Sequence, residues 1–62
     1  MAIGDIIRKY RKNKGMTQEE MAACLGVTTP AVNKWEKGNT LPDITLIVPI
    51  ARLLGITTDE LL

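Results

Sequence analysis

Apolar residues fall along this chain in short clusters spaced three and four apart, and most clusters are followed by a glycine. In the first, Ile3, Ile6, Ile7 and Tyr10 recur at helical spacing. Arg8, Lys9, Arg11 and Lys12 lie toward its C-terminal half, where cations suit the helix dipole, and Gly15 is a natural stop. The pattern predicts a helix over Ala2 to Asn13. The second cluster, Met21, Ala22 and Leu25, follows Thr17 and Glu20. A threonine with a glutamate three positions on can satisfy two free amides reciprocally, as a capping box. Met16 and Met21 flank it as a hydrophobic staple, and Gly26 is expected in the left-handed conformation that ends the helix.

A third helix follows at once. Ala31, Val32 and Trp35 form its inward stripe and Gly38 closes it. Thr28 or Thr29 caps it. Pro30 fits best at the first helical position behind Thr29, and is still tolerable one position later behind Thr28. The second and third helices thus flank a turn of about four residues, which is helix-turn-helix geometry. After the loop GNTLPD, Thr45 is the candidate cap for Ile47, Ile50, Ala51 and Leu54, with Gly55 as the stop. Pro49 lacks the amide an early helical bond needs, so a late start or a distorted turn near Val48 is expected. Thr57 or Thr58 caps a final TDELL turn docked by Ile56 and Leu61. No stretch alternates with period two. The expected class is all-α, with five short helices.

Composition narrows the function more than the fold. The 62 residues suit one domain, 1–62, near the lower limit for a self-sufficient core. With one Trp, one Tyr and no Phe, aliphatic residues must fill that core. The single Cys24 allows no intrachain disulfide and is expected as a small semi-buried filler. The lack of histidine excludes a Cys/His zinc site, and no metal or cofactor is expected. Without histidine, serine or a glycine-rich phosphate loop, enzyme chemistry has little to stand on. Glu19/Glu20 and Asp59/Glu60 are better explained as helix-start carboxylates. No apolar run is long enough for a membrane span, and the charged start does not suit a secretory signal, so a cytoplasmic protein is expected. The apolar end at Leu61 and Leu62 is also what a fragment of a longer protein would show.

Net charge is only +1, but residues 1–38 carry seven Lys/Arg against four Asp/Glu, and the remainder one against three. The basic half contains the helix-turn-helix and points to an anionic partner. If Ala31, Val32 and Trp35 face inward, Thr29, Pro30, Asn33 and Lys34 lie outward or on the flanks. A protruding helix of this width fits the DNA major groove. Asn33 suits adenine, Lys34 suits guanine or a phosphate, and Thr29 suits either a base edge or a phosphate. Gln18, in the first turn of the second helix, marks a phosphate site at free amides. Thr28 can touch a phosphate or only cap. Lys37, Asn39 and Thr40 follow in a loop placed to lie along the duplex backbone. Trp35 is expected in or at the edge of the core.

The segments IGDIIRKYRKNKGMTQEEMAACLGV, TTPAVNKWEKG, LPD and IARLLGITTDELL, in that order and spacing, resemble the Cro/C1-type helix-turn-helix domains of phage repressors and bacterial regulators. The resemblance runs from Ile3 to Leu61. It implies a compact five-helix, lambda-repressor-like domain whose third helix reads DNA. It further implies a bacterial or phage-encoded homodimer on a two-fold symmetric operator, acting as a transcriptional repressor at the nucleoid. Gln18 matches a family glutamine that touches phosphate and can brace a recognition-helix side chain. Arg11 and Glu36 match a pair that ties helix one to helix three. Pro30 stands where relatives often carry a polar base reader, and it can pack on a thymine methyl but cannot donate. Pro49, beside Leu46 and Val48, replaces polar residues common early in helix four. Leu46, Val48, Ile56, Leu61 and Leu62 are candidates for a dimer surface. The competing reading is a protein-interaction or antitoxin-type module that keeps the fold with little DNA affinity.

Overall fold

Helix boundaries follow the capping chemistry of the sequence in the computed structural model, which describes residues 2–62. The single-domain reading of 1–62 takes in Met1, which lies outside the described residues. Helix α1 spans Ile3–Asn13, with Asp5 in its first turn and Arg11 and Lys12 in its last. Helix α2 spans Gln18–Leu25 behind the expected capping box. The Glu20 amide donates to the Thr17 hydroxyl at 3.0 Å, and the Thr17 amide donates back to the Glu20 carboxylate at 2.9 Å. Gly26 then turns the chain at φ +71°, a left-handed conformation that a side chain would strain.

Helix α3 spans Thr29–Lys37. Its cap is Thr28, whose hydroxyl accepts from the Ala31 amide at 3.3 Å. Pro30 is therefore the second helical residue, not the first as the Thr29 cap would have made it. The change costs nothing in hydrogen bonds, because neither amide has an intrahelical partner. A similar correction applies at Thr45. Asp43 accepts from both the amide and the hydroxyl of Thr45, and so starts a single 3-10 turn over Ile44–Leu46. Helix α4 begins only after it, over Ile47–Leu54 with Leu46 as cap. Pro49 becomes the third helical residue, where its missing amide is not needed. The late start is thus as expected, but the cap is not. Helix α5, Thr58–Leu61, starts behind a second capping box made by Thr57 and Glu60.

Among the described residues there are five α-helices and no strand, as the periodicity predicts. Ile7, Met21, Ala22, Val32, Trp35, Ile50, Ala51, Leu54 and Leu61 make one core. Helices α1 and α2 both pack on α3, while α4 backs α1 and α5 closes against α1 and α4. Val32 and Trp35 anchor α3 from its inner face at 0% and 5% exposure. Burying side chains of that size contributes about 1.5–3 kcal/mol each. Gly4 lets α1 approach α3 at backbone distance: a Cβ there would sit 2.1 Å from the Trp35 carbonyl oxygen.

Two burial expectations fail. Cys24 is exposed, not semi-buried. It lies about 110° around the helix from the centre of the arc set by Met21, Ala22 and Leu25, beyond the covered face. Leu61, at 1% exposure, docks the final turn into the core as expected, but for that reason cannot also serve a dimer surface. Leu46 and Ile56 are half-buried. Among the described residues the large apolar side chains that face solvent are Leu41, Ile44, Val48 and Leu62. No helix among the described residues is long and apolar enough to cross a membrane.

Candidate nucleic-acid interface

With Val32 and Trp35 seated, the opposite side of α3 has only polar residues and Pro30 to present. Pro30 and Lys34 are exposed, and Thr29 and Asn33 are half-buried on its flanks. Thr28 is exposed at the cap. Lys37 is exposed at the helix end, and Asn39 and Thr40 are exposed just beyond it. The amide of Asn39 donates to the Lys34 carbonyl at 2.9 Å across left-handed Gly38. That bond ends the helix and leaves the Asn39 and Thr40 side chains to the outside.

Gln18, Asn33, Lys37, Arg8, Arg11 and Glu36 line one polar cleft where α1, α2 and α3 meet. The site residues expected from the sequence therefore divide in two. Gln18, Asn33 and Lys37 converge here with the Arg11–Glu36 pair. Thr28, Thr29, Pro30 and Lys34 lie outside this cleft, as do Asn39 and Thr40.

The floor of the cleft is the expected ion pair. Arg11 Nε donates to Glu36 Oε2 at 2.6 Å and Nη2 to Oε1 at 3.0 Å, two bonds in the fork geometry of arginine and carboxylate. The two side chains are 10% and 4% exposed. The remaining Nη1 donates to the Met16 carbonyl at 2.8 Å, tying the α1–α2 corner into the same group. The Glu36 hydrogen bond raises the Arg11 pKa above its ordinary value, against burial. Burial pushes the Glu36 carboxyl up. Hydrogen bonds from Arg11 and Gln18, with the charges of Arg11 and Arg8, outweigh it and hold the carboxyl below its ordinary value. Both groups stay charged at neutral pH, and no buried polar side-chain atom among the described residues lacks a partner.

The network continues outward. Gln18 Nε2 donates to Glu36 Oε1 at 3.1 Å, and Asn33 Nδ2 donates to Gln18 Oε1 at 3.4 Å. Gln18 thus braces a side chain of α3 from the first turn of α2. In the sequence Arg8 is one of four cations in the C-terminal half of helix one, with Lys9, Arg11 and Lys12. The structure singles it out as the α1 cation that lines the cleft outside the ion pair. Gly4 was passed over in the sequence. Its signal was available: a glycine inside a helix costs about 1 kcal/mol against alanine, and a close backbone approach is what offsets that.

Comparison with known proteins settles the class. Residues 7–61 match the family model described as helix-turn-helix. The chain belongs to this family, in its Cro/C1 type. Members are DNA-binding transcriptional regulators, not enzymes. Among relatives of the same type, the chain is 43% identical over 58 residues to the uncharacterized HTH-type transcriptional regulator YazB of Bacillus subtilis, covering 94% of this chain and 84% of YazB. It is 37% identical over 59 residues to the SPbeta prophage-derived uncharacterized HTH-type transcriptional regulator YonR of the same organism. That alignment covers 95% of this chain but only 55% of YonR. The fold superposes on the P22 c2 repressor, crystallised in complex with synthetic operator 9T, at a TM-score of 0.94 and 27% identity, over 100% of this chain and 94% of the repressor chain. The lambda-repressor-like helix-turn-helix architecture expected from the resemblance is therefore the one this family member has.

Proposed function

We propose that the chain binds double-stranded DNA sequence-specifically, with α3 in the major groove, as a homodimeric transcriptional repressor. The observation that carries this is the division of α3: Val32 and Trp35 are buried, while Pro30, Lys34 and Lys37 face solvent beside half-buried Thr29 and Asn33. Apart from Asn33, which Gln18 braces, the polar side chains of this face have no hydrogen-bond partner among the described residues, and they are of the types that read base edges. Asn33 and Lys34 serve as the principal readers, with Thr29 and Pro30 beside them. A paired side-chain contact discriminates by about 1–3 kcal/mol. Gln18, Thr28, Lys37, Asn39 and Thr40 hold phosphates around them, with Arg11 and Glu36 fixing the helices. The operator complex of the P22 c2 repressor, a protein of the same fold, supports this reading.

Two long polar readers specify little by themselves, so a second protomer on a two-fold symmetric operator completes the site. Adjacent recognition helices then meet the groove roughly 34 Å apart. Exposed Leu41, Ile44, Val48 and Leu62 supply apolar surface for that pairing. In this reading residues 1–62 act as one DNA-binding unit at the nucleoid, in the cytoplasm.

Selection of bound duplexes from a random pool, with the mass of the complex, tests specificity, symmetry and dimerisation together. Lys34→Ala and Lys37→Ala are expected to weaken binding with the fold intact. Each substitution that removes a phosphate-binding cation should reduce the salt slope by about 1. If no duplex is enriched at low salt, and neither substitution matters, the protein-interaction module becomes the better reading.

A further inference from the structure

Glutamine and asparagine amides are asymmetric: one end only donates, the other only accepts. A row of them therefore carries a direction, set by whatever group stands at its start. Here the start is Glu36, an ionised carboxylate that only accepts and whose side chain is 4% exposed. Gln18 meets it with its NH2 group at 3.1 Å, which leaves the Gln18 carbonyl facing α3. Asn33 meets that carbonyl with its own NH2 group at 3.4 Å. What no other described residue engages on Asn33 is its Oδ1 acceptor and one N–H.

We propose that Glu36 is a positioning residue for base recognition: through Gln18, its carboxylate sets which end of the Asn33 amide faces the DNA. The inference rests on the DNA-binding reading above. In the observed sense Asn33 offers one acceptor and one donor, which match adenine N6 and N7. In the reversed sense the Asn33 carbonyl would turn to Gln18 and two donors would face outward, which match guanine O6 and N7. Glu36 is too enclosed to touch DNA itself, and Arg11, bound to both its oxygens, keeps it charged. A purely structural ion pair would alter stability and overall affinity. It would not alter the choice between adenine and guanine at one position.

Two variants cut the relay at different places. Arg11→Met with Glu36→Met replaces the pair by side chains of similar volume and leaves no unpaired buried charge. Gln18→Met interrupts the middle at a half-buried surface position, and decides the matter if the double variant does not fold. Asn33→Ala identifies the operator position that Asn33 reads. In duplex selection, the adenine-over-guanine preference there is expected to fall from about tenfold to about twofold in both relay variants. Preferences elsewhere in the operator should persist. Side-chain amide NMR of the free protein provides a readout without DNA: loss of Glu36 should release the NH2 groups of both Gln18 and Asn33 to rapid averaging. An unchanged preference in a variant that still selects duplexes overturns the relay and leaves DNA binding standing. So does an Asn33 amide that stays ordered without Glu36. Failure of the native protein to select any duplex overturns the DNA reading and the base-reading role together.

Discussion

Removing Arg11 tests the physical account of how α1 and α3 are held together. In Arg11→Ala, Glu36 loses the donors at 2.6 and 3.0 Å and keeps only Gln18 at 3.1 Å. Its carboxylate remains enclosed, with the side chain 4% exposed in the native protein. The Met16 carbonyl loses its donor as well. An intact buried pair adds little net stability, but removing one partner leaves an uncompensated charge at a cost of about 3–5 kcal/mol. The cleft opens to solvent, which places Arg11→Ala near the lower end, about 3 kcal/mol. A chain of 62 residues has a total stability of roughly 3–9 kcal/mol, so a third or more should be lost. Urea unfolding followed by the fluorescence of Trp35, the single tryptophan and 5% exposed, reads this directly. With a slope of about 1 kcal/mol per molar for so small a chain, the midpoint should drop by about 3 M. The double replacement Arg11→Met/Glu36→Met should stay close to the native midpoint, since it leaves no charge behind. A single-variant midpoint within about 0.5 M of the native value would refute the buried-charge reasoning.

The remaining expectations concern packing, capping and pH. Gly4→Ala would force a methyl to 2.1 Å from the Trp35 carbonyl oxygen, so α1 must move away from α3. A loss of about 1–3 kcal/mol in the same urea titration is expected, and unchanged stability would mean that the close approach is not needed. Thr17→Ala removes the hydroxyl that caps α2 and should cost about 1 kcal/mol, with faster amide exchange at Glu20. Glu36 has its folded pKa held below the ordinary 4.5. Its contribution to stability is therefore full above that value and lost as pH falls through the lower folded value. Thermal melts from neutral to acid pH should show that loss, and Arg11→Met/Glu36→Met should flatten it. Exposed Glu20 and Asp43, lowered by their threonine hydrogen bonds, act in the same direction.

Local chemistry explains why so much of the fold was legible. The Thr17–Glu20 box, the glycines at 26, 38 and 55, and the three-and-four spacing of apolar residues are all interactions within one or two helical turns. They can be read from neighbours in the chain. Misreadings fell where two local solutions competed. Thr28 and Thr29 could both cap α3, and Asp43 could displace Thr45. Cys24 stood at the edge of a helical arc whose width only its packing partners define. Of the candidate site, residue types and outward positions on α3 were legible, whereas the convergence of Arg8 with Gln18, Asn33 and Lys37 was not.

The sequence by itself determined which stretches are helical, which face of α3 is apolar, and which polar side chains were left for an outside partner. These follow from periodicity and capping, which act over a few residues. Tertiary structure decided the rest: the backbone contact at Gly4, and the order Arg11–Glu36–Gln18–Asn33 across three helices. Those relations join residues 15 to 31 positions apart, and whether a hydrogen bond forms depends on distances of a few tenths of an ångström. No spacing along the chain encodes that, because it exists only once α1 and α2 have packed on α3.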